Sequence, residues 1–226
     1  AKVPVTEIVK IGIPGALITI MLSISNIALN NSISGYGSDA VASYGIAYKL
    51  DMFPILLTVG FSQGIAPMIG YCYGAKQYDR MNKVVRYTMI DDVIFGALFT
   101  LVFMLFSVPF TMIFLHEENL IGQSSQFLRI MSLSSPMLGI INTVTAYYQA
   151  LGKAVNSLLI TMLRNIILFI PGVILLNTLF GLNGAIAAQP AVETILAIIC
   201  FVMYQLSRRK YSVINQPVQG LAGSRL

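Results

Sequence analysis

Four charged side chains interrupt stretches that are otherwise apolar: Lys49, Asp51, Arg164 and Glu193. An ionisable group inside a lipid-spanning segment is costly, so by default it faces the bundle interior or a wet cavity and marks a substrate or ion path. The two cations and two anions cancel. They can lock helices together as a neutral buried cluster, or some of them can line a cleft and meet a substrate or coupling ion. Uncharged polar residues extend the list. Asn26 and Asn30 share one side of a helix, Gln63 lies among glycines, and Tyr147 precedes Tyr148 and Gln149. Such groups either bond between helices or line a binding cleft. Asp91 and Asp92 sit a turn or two inside their apolar stretch, beside Arg86, and read as an interfacial pair, solvated or held by arginine. Neighbours on a helix point about 100° apart, so the two cannot share one cleft. No nucleophile, nucleotide loop or paired-carboxylate motif stands out, which argues against an enzyme. Cys72, Cys200 and His116 have no metal or disulfide spacing, so neither metal nor cofactor is expected.

The elements that must carry these residues follow from composition. Only 10% of the 226 residues are charged, against roughly 25% in soluble domains, and mean hydropathy is +0.78. Lipid, not water, is the expected surround. Apolar runs long enough to span a bilayer fall at about 9–33, 39–72, 86–115, 127–149, 156–179 and 184–206, giving an all-α polytopic protein of six transmembrane helices. Pro54 and Pro67 are placed to kink the second span and Pro109 the third. Lys49 and Asp51 then lie about 15 Å deep from one side, with Glu193 at similar depth and Arg164 approaching the midplane from the other side.

Basic residues fall on alternate loops: Lys2 and Lys10, then Lys76, Arg80, Lys83 and Arg86, then Lys153, then Arg208, Arg209 and Lys210. Acidic Asp39, Glu117 and Glu118 mark the others. The positive-inside rule places both ends in the cytoplasm. The net charge of +5 is spread between apolar runs, not gathered on one solvated face, which excludes nucleic acid. Residues 1–210 read as one transmembrane lobe and 211–226 as a polar tail. The start at Ala1 reads as a chain cut from something longer. Tight turns are expected at Gly35–Asp39 and at Gly181–Gly184.

The stretch from Gly60 to Lys76 places glycines four apart twice, Gly60/Gly64 and Gly70/Gly74, around Pro67. A phosphate loop needs glycines leading into a helix N-terminus. Here a long apolar helix runs into the glycines and leaves through a basic loop. The expected role is a close-packed, bendable helix, with Gly74 ending it.

The segments Gly35–Lys49 and Gly60–Lys76, Tyr147-Tyr-Gln-Ala-Leu-Gly-Lys, Leu163-Arg-Asn and Gly181-Leu-Asn-Gly-Ala with the later Gln-Pro-Ala-Val-Glu together resemble the multidrug and toxic compound extrusion (MATE) family, in order and spacing over residues 5–210. The resemblance implies one lobe, the C-terminal one, of a twelve-helix transporter that rocks between inward- and outward-open states. It implies export of amphipathic, cationic compounds in exchange for protons or sodium, across the bacterial cytoplasmic membrane. Its partners would be membrane lipid, an N-terminal six-helix lobe and small cationic substrates. NorM-type members carry acids in the first and fourth helices of this lobe. The matching stretches here, Met21–Asn26 and Ile130–Gln149, hold none, whereas Glu193 matches a position in the last helix that is often acidic and is the ion-coupling candidate. The alternatives are a lipid or lipid-linked oligosaccharide flippase of the same superfamily, a non-transporting membrane fragment or assembly module, and a half-transporter working as a homodimer.

Overall fold

The computed structural model describes residues 5–115 and 117–214, with side chains over 16–115 and 117–209. The side chains of Lys2, Lys10, His116 and Lys210, and the tail after Ile214, lie outside the described residues. The helices are α1 (Val5–Ser34), α2 (Ser38–Gly74), α3 (Tyr78–Met112), α4 (Glu118–Ser132), α5 (Ser135–Ala150), α6 (Ala154–Met162) continued by a π-helical turn (Leu163–Leu168), and α7 (Phe169–Ile214).

Four stretches of helix are long and apolar enough to cross a membrane, and α4 with α5, bent by 45° between them, makes a fifth crossing. The sixth comes from within α7. Gly181 has φ 62° and ψ −145°, far from helical values. A Cβ added to Gly172 would meet Val192 at 3.0 Å, and one on Gly184 would collide with the Leu176 carbonyl. On a straight helix residues 172 and 192 would stand about 30 Å apart. The chain therefore reverses at Gly181 into two packed arms, α7a (169–180) and α7b (182–214).

Several boundaries differ from expectation. α3 begins at Tyr78, well before position 86, because its first turns are amphipathic. Met81, Val85 and Met89 are buried at a spacing of four, while Arg80 and Lys83 stay exposed. Pro54 and Pro67 do not interrupt α2. The break falls in α3 instead, at Phe106 (φ −116°, ψ 19°), one turn ahead of Pro109, whose ring excludes the helical carbonyl position there. Gly37 (φ 106°) makes the first turn as expected. After α2 the positive φ belongs to Lys76 at 57°, not to a glycine. The Gln77 amide donates to the Cys72 carbonyl at 2.8 Å and the Lys76 amide to Tyr73 at 3.1 Å. Lys153 and Gly152 repeat this two-bond helix stop on Tyr148 and Gln149, at 2.9 and 3.0 Å.

Side chains pack into two apolar cores at opposite ends of the lobe. One gathers Ile69, Cys72, Met81, Val85, Tyr147 and Leu196; the other gathers Leu29, Leu50, Phe103, Phe127 and Ile186. Between them lies a concentration of buried polar side chains: Ser25, Asp51, Thr58, Ser62, Asp92, Ser132, Ser134, Thr143, Asn165 and Glu193. Backbones also approach closely at this waist. A Cβ on Gly96 would meet Ser135 and Pro136 backbone atoms at 2.6–2.7 Å, and one on Gly139 would collide with Asp92. With Gly172 and Gly184 at the reversal of α7, these are the close-packing glycines of the lobe. Gly60, Gly64 and Gly74, for which that role was expected, have nothing within 4 Å of an added Cβ, and Gly70 meets only the Ala150 carbonyl at 3.7 Å. The spacing of Gly60 and Gly64 is right for a packing face, but their side of α2 points out of this lobe.

Gly96→Ala should therefore lower stability by about 1–3 kcal/mol, the usual cost of overpacking. Gly60→Ala should be neutral or stabilising by up to about 1 kcal/mol through helix propensity. Thermal unfolding of both variants in the same detergent checks the pair.

Candidate functional site

Arg164 stands on the π-helical turn. Such turns widen a helix by one residue and recur at functional positions. The Ser25 hydroxyl of α1 bonds the Asn165 carbonyl at this turn, and the Asn165 amide donates back to the Thr161 carbonyl at 3.1 Å. Arg164 thereby reaches α7b, where its Nη2 donates to Glu193 Oε1 at 2.8 Å. This is an ion pair with side-chain exposures of 28% and 5%. One turn earlier on α7b, the Gln189 amide lies 3.3 Å from Asp51 Oδ2 of α2 and 3.5 Å from Ser134 Oγ at the bend between α4 and α5. Asp51 is fully buried. Asp51 Oδ1 and Glu193 Oε2 have no hydrogen-bond partner. The Arg164 network thus holds two carboxylates and one guanidinium, a formal excess of one negative charge.

Lys49, expected to balance this cluster, does not join it. Lys49 is exposed, since a residue two places before Asp51 points about 160° away from it. The neutral foursome becomes a charged threesome with Gln189 and Ser134 as its polar frame.

A second polar chain crosses the waist. Thr143 Oγ1 donates to Asp92 Oδ2 at 2.6 Å and lies 3.4 Å from Ser62 Oγ. Asp92 is fully buried and its Oδ1 is unpartnered, so it is not the interfacial, solvated or arginine-paired group expected. Because α3 starts at Tyr78, Asp92 lies about four turns into the helix instead of one or two. Asp91 is exposed, and the two aspartates do point apart.

Gln63 is exposed and, with Ser62, Asn142, Thr145 and Gln149, lines a small polar recess of about 70 Å³ between α2 and α5. Asn142 donates to Thr58 Oγ1 at 3.2 Å and Gln149 to Ser157 Oγ at 3.1 Å. On α1 the exposed Asn30 amide donates to the Asn26 carbonyl at 2.9 Å, so the two share a face as expected, away from the charged network. Tyr147, expected on the pathway, sits in an aromatic cluster of the lobe's core. It is fully buried, its hydroxyl 3.1 Å from Ser207 Oγ, with edge-to-face contacts to Tyr148 and Tyr204 at 5.2 and 5.4 Å. It pins α5 to α7b.

The structure adds Gln189, Ser134, Asp92 and Thr143 to the residues that matter. Gln189 was legible, lying four residues before Glu193 and hence on the same helix face. Ser134 and Thr143 were not, because one buried serine or threonine in an apolar run looks like any other.

A profile described as MatE matches residues 14–175. The chain belongs to the MATE family. Multidrug export protein MepA of Staphylococcus saprophyticus subsp. saprophyticus is 28% identical over 207 residues, covering 92% of this chain and 46% of that protein. MepA of Staphylococcus aureus strain NCTC 8325 is 30% identical over 213 residues, with 94% and 47% covered. An outward-facing multidrug resistance MATE transporter superimposes with a TM-score of 0.86 at 18% identity, over 94% of this chain and 49% of that one. The bent form of the Vibrio cholerae MATE transporter VcmN gives 0.83 at 23% identity, over 88% and 46%. The chain therefore has the fold of a half-length, six-helix MATE lobe, and spans about half the length of the relatives it matches. MATE proteins are transporters, not enzymes.

Removing the one cation of the network tests its structural weight. Arg164→Met leaves two carboxylates unneutralised and should lower stability by about 3–5 kcal/mol. Adding Glu193→Leu should recover part of that loss. Unchanged melting of Arg164→Met would show that the network does not anchor the MATE lobe.

Proposed function

We propose that this chain is the C-terminal half of a cation-coupled multidrug efflux antiporter. Completed by a second six-helix lobe, it moves amphipathic, cationic compounds out of the cell in exchange for protons or sodium. One observation carries the reading: Glu193 holds the Arg164 guanidinium, Asp51 has only the Gln189 amide, and each carboxylate keeps an oxygen with no hydrogen-bond partner among the described residues. A proton or sodium ion at Glu193 or Asp51 neutralises the excess charge. Releasing it restores a negative site that favours cationic substrate, so the two cations compete for one charge.

Two further observations support the setting. Exposed Lys76, Arg80, Lys83, Arg86, Arg208 and Arg209 gather at the ends of α2, α3 and α7b, which suits a cytoplasmic face with both chain ends inside the cytoplasmic membrane. Gly60, Gly64 and Pro67 line a face of α2 that is open in this lobe, which suits a helix that packs against the other lobe and moves with it. In this reading residues 1–210 are the transporting unit.

In the complete transporter, Glu193→Gln and Asp51→Asn should each slow dye efflux by about tenfold or more, since a charge-assisted contact contributes about 1.5–3 kcal/mol. Membrane insertion should be unaffected, and Asp91→Asn should behave as wild type. Collapsing the sodium and proton gradients separately identifies the coupling ion. Efflux by Glu193→Gln that matches wild type across a pH series would return Glu193 to a purely structural role.

A further inference from the structure

A groove of about 600 Å³ opens between α3 and α7b, with Ile140 of α5 on its floor. α3 leaves the basic end of the lobe and α7b returns to it, so Arg86 near the start of one helix meets Arg208 near the end of the other. Both are exposed, and neither forms an ion pair with a described residue. Tyr204 lines the same groove, its hydroxyl 3.4 Å from the Asn82 carbonyl.

Further along the groove the lining changes character. Ile90, Ile94 and Phe201 are exposed at 43%, 60% and 46%. Ile94 stands about 12 Å along its helix from Arg86, and Phe201 about 10 Å from Arg208. The opening is thus cationic at one end and apolar over the length of several methylenes at the other. It also faces away from the polar recess at Gln63. Ile140 lines one and Asn142 the other, and residues two apart on a helix point about 200° apart. A free phosphate would use the arginines and leave the apolar half empty. A zwitterionic lipid would bring its own cation against two unneutralised guanidiniums.

We propose that this groove binds an anionic phospholipid, its phosphodiester between Arg86 and Arg208, its glycerol beside Gln205 and its acyl chains over Ile90, Ile94 and Phe201. Basic pockets between helices on the cytoplasmic side suit such headgroups. The site is independent of the antiport reading, since it uses none of the waist residues.

The test is native mass spectrometry of the purified chain in mild detergent, titrated with phosphatidylglycerol or phosphatidylcholine. Phosphatidylglycerol should be retained more tightly. Arg86→Gln with Arg208→Gln should weaken that retention about 30-fold, two charges at about 1 kcal/mol each. The charge-matched pair Lys76→Gln with Arg80→Gln, outside the groove, should retain it as wild type does. Val93→Trp, which fills the apolar half, should displace it with the melting temperature held. Glycerol 3-phosphate at millimolar concentration should not compete. The proposal is overturned by equal retention of the two lipids, by equal losses in the two charge-removed pairs, or by full competition from glycerol 3-phosphate. A lipid-free mass of two chains, abolished by Val93→Trp, would give the groove to a second copy instead.

Discussion

Charge in the middle of an apolar bundle is the constraint on which the rest of this lobe depends. Asp51 and Glu193 are buried, so the surrounding helices must supply what solvation would have given. Several irregular pieces of backbone lie beside them. The π-helical turn carries Arg164, the bend between α4 and α5 carries Ser134, and Pro190 sits between Gln189 and Glu193. Irregular backbone survives at membrane depth only where freed polar groups are met again. Here the Ser25 hydroxyl meets Asn165, and Thr100 Oγ1 meets the Ser132 carbonyl at 2.6 Å. The regular helix ends, with their two apolar cores, hold that waist in place from either side.

The waist is not a stability device. A buried ion pair is often no better than apolar residues of the same volume, although removing one partner is strongly destabilising. This network goes further from the optimum. The waist carries more anion than cation and leaves Asp51 Oδ1, Asp92 Oδ1 and Glu193 Oε2 without hydrogen-bond partners among the described residues. Each of those oxygens bears a desolvation cost with no bond in return.

Much of the architecture was legible because lipid demands a simple code. Span number, the turn at Gly37 and the reversal at Gly181 all follow from apolar length and glycine placement, as does the partition of basic and acidic loops. Starting positions were less legible. Counting only apolar residues misses the amphipathic first turns of α3, and that error of eight residues moved Asp92 from the core to the interface. Rotation about the helix axis was the other loss. Lys49 and Asp51 sit at equal depth, yet only one of them faces in. Tyr147 carries a polar hydroxyl, yet sits at the centre of an aromatic cluster. Spacing within one segment cannot report which side its neighbours occupy.

α2 joins these points. Taking Asp51 as the origin of its helical wheel, Thr58 and Ser62 fall within about 20° of it, on the inward side, and all three are buried. Lys49, Gly60, Gly64 and Pro67 fall about 160–220° away, on a side where the structure leaves open space or exposed surface. One helix thus presents a carboxylate to the waist along one edge and a smooth, glycine-lined strip along the other. Both edges belong to one helix that runs unbroken from Ser38 to Gly74. A shift of about 1 Å is enough to break the 3.3 Å contact from Gln189, since hydrogen bonds weaken beyond about 3.5 Å. The glycine strip and the buried charge, read separately in the sequence, are therefore two sides of one mechanical element.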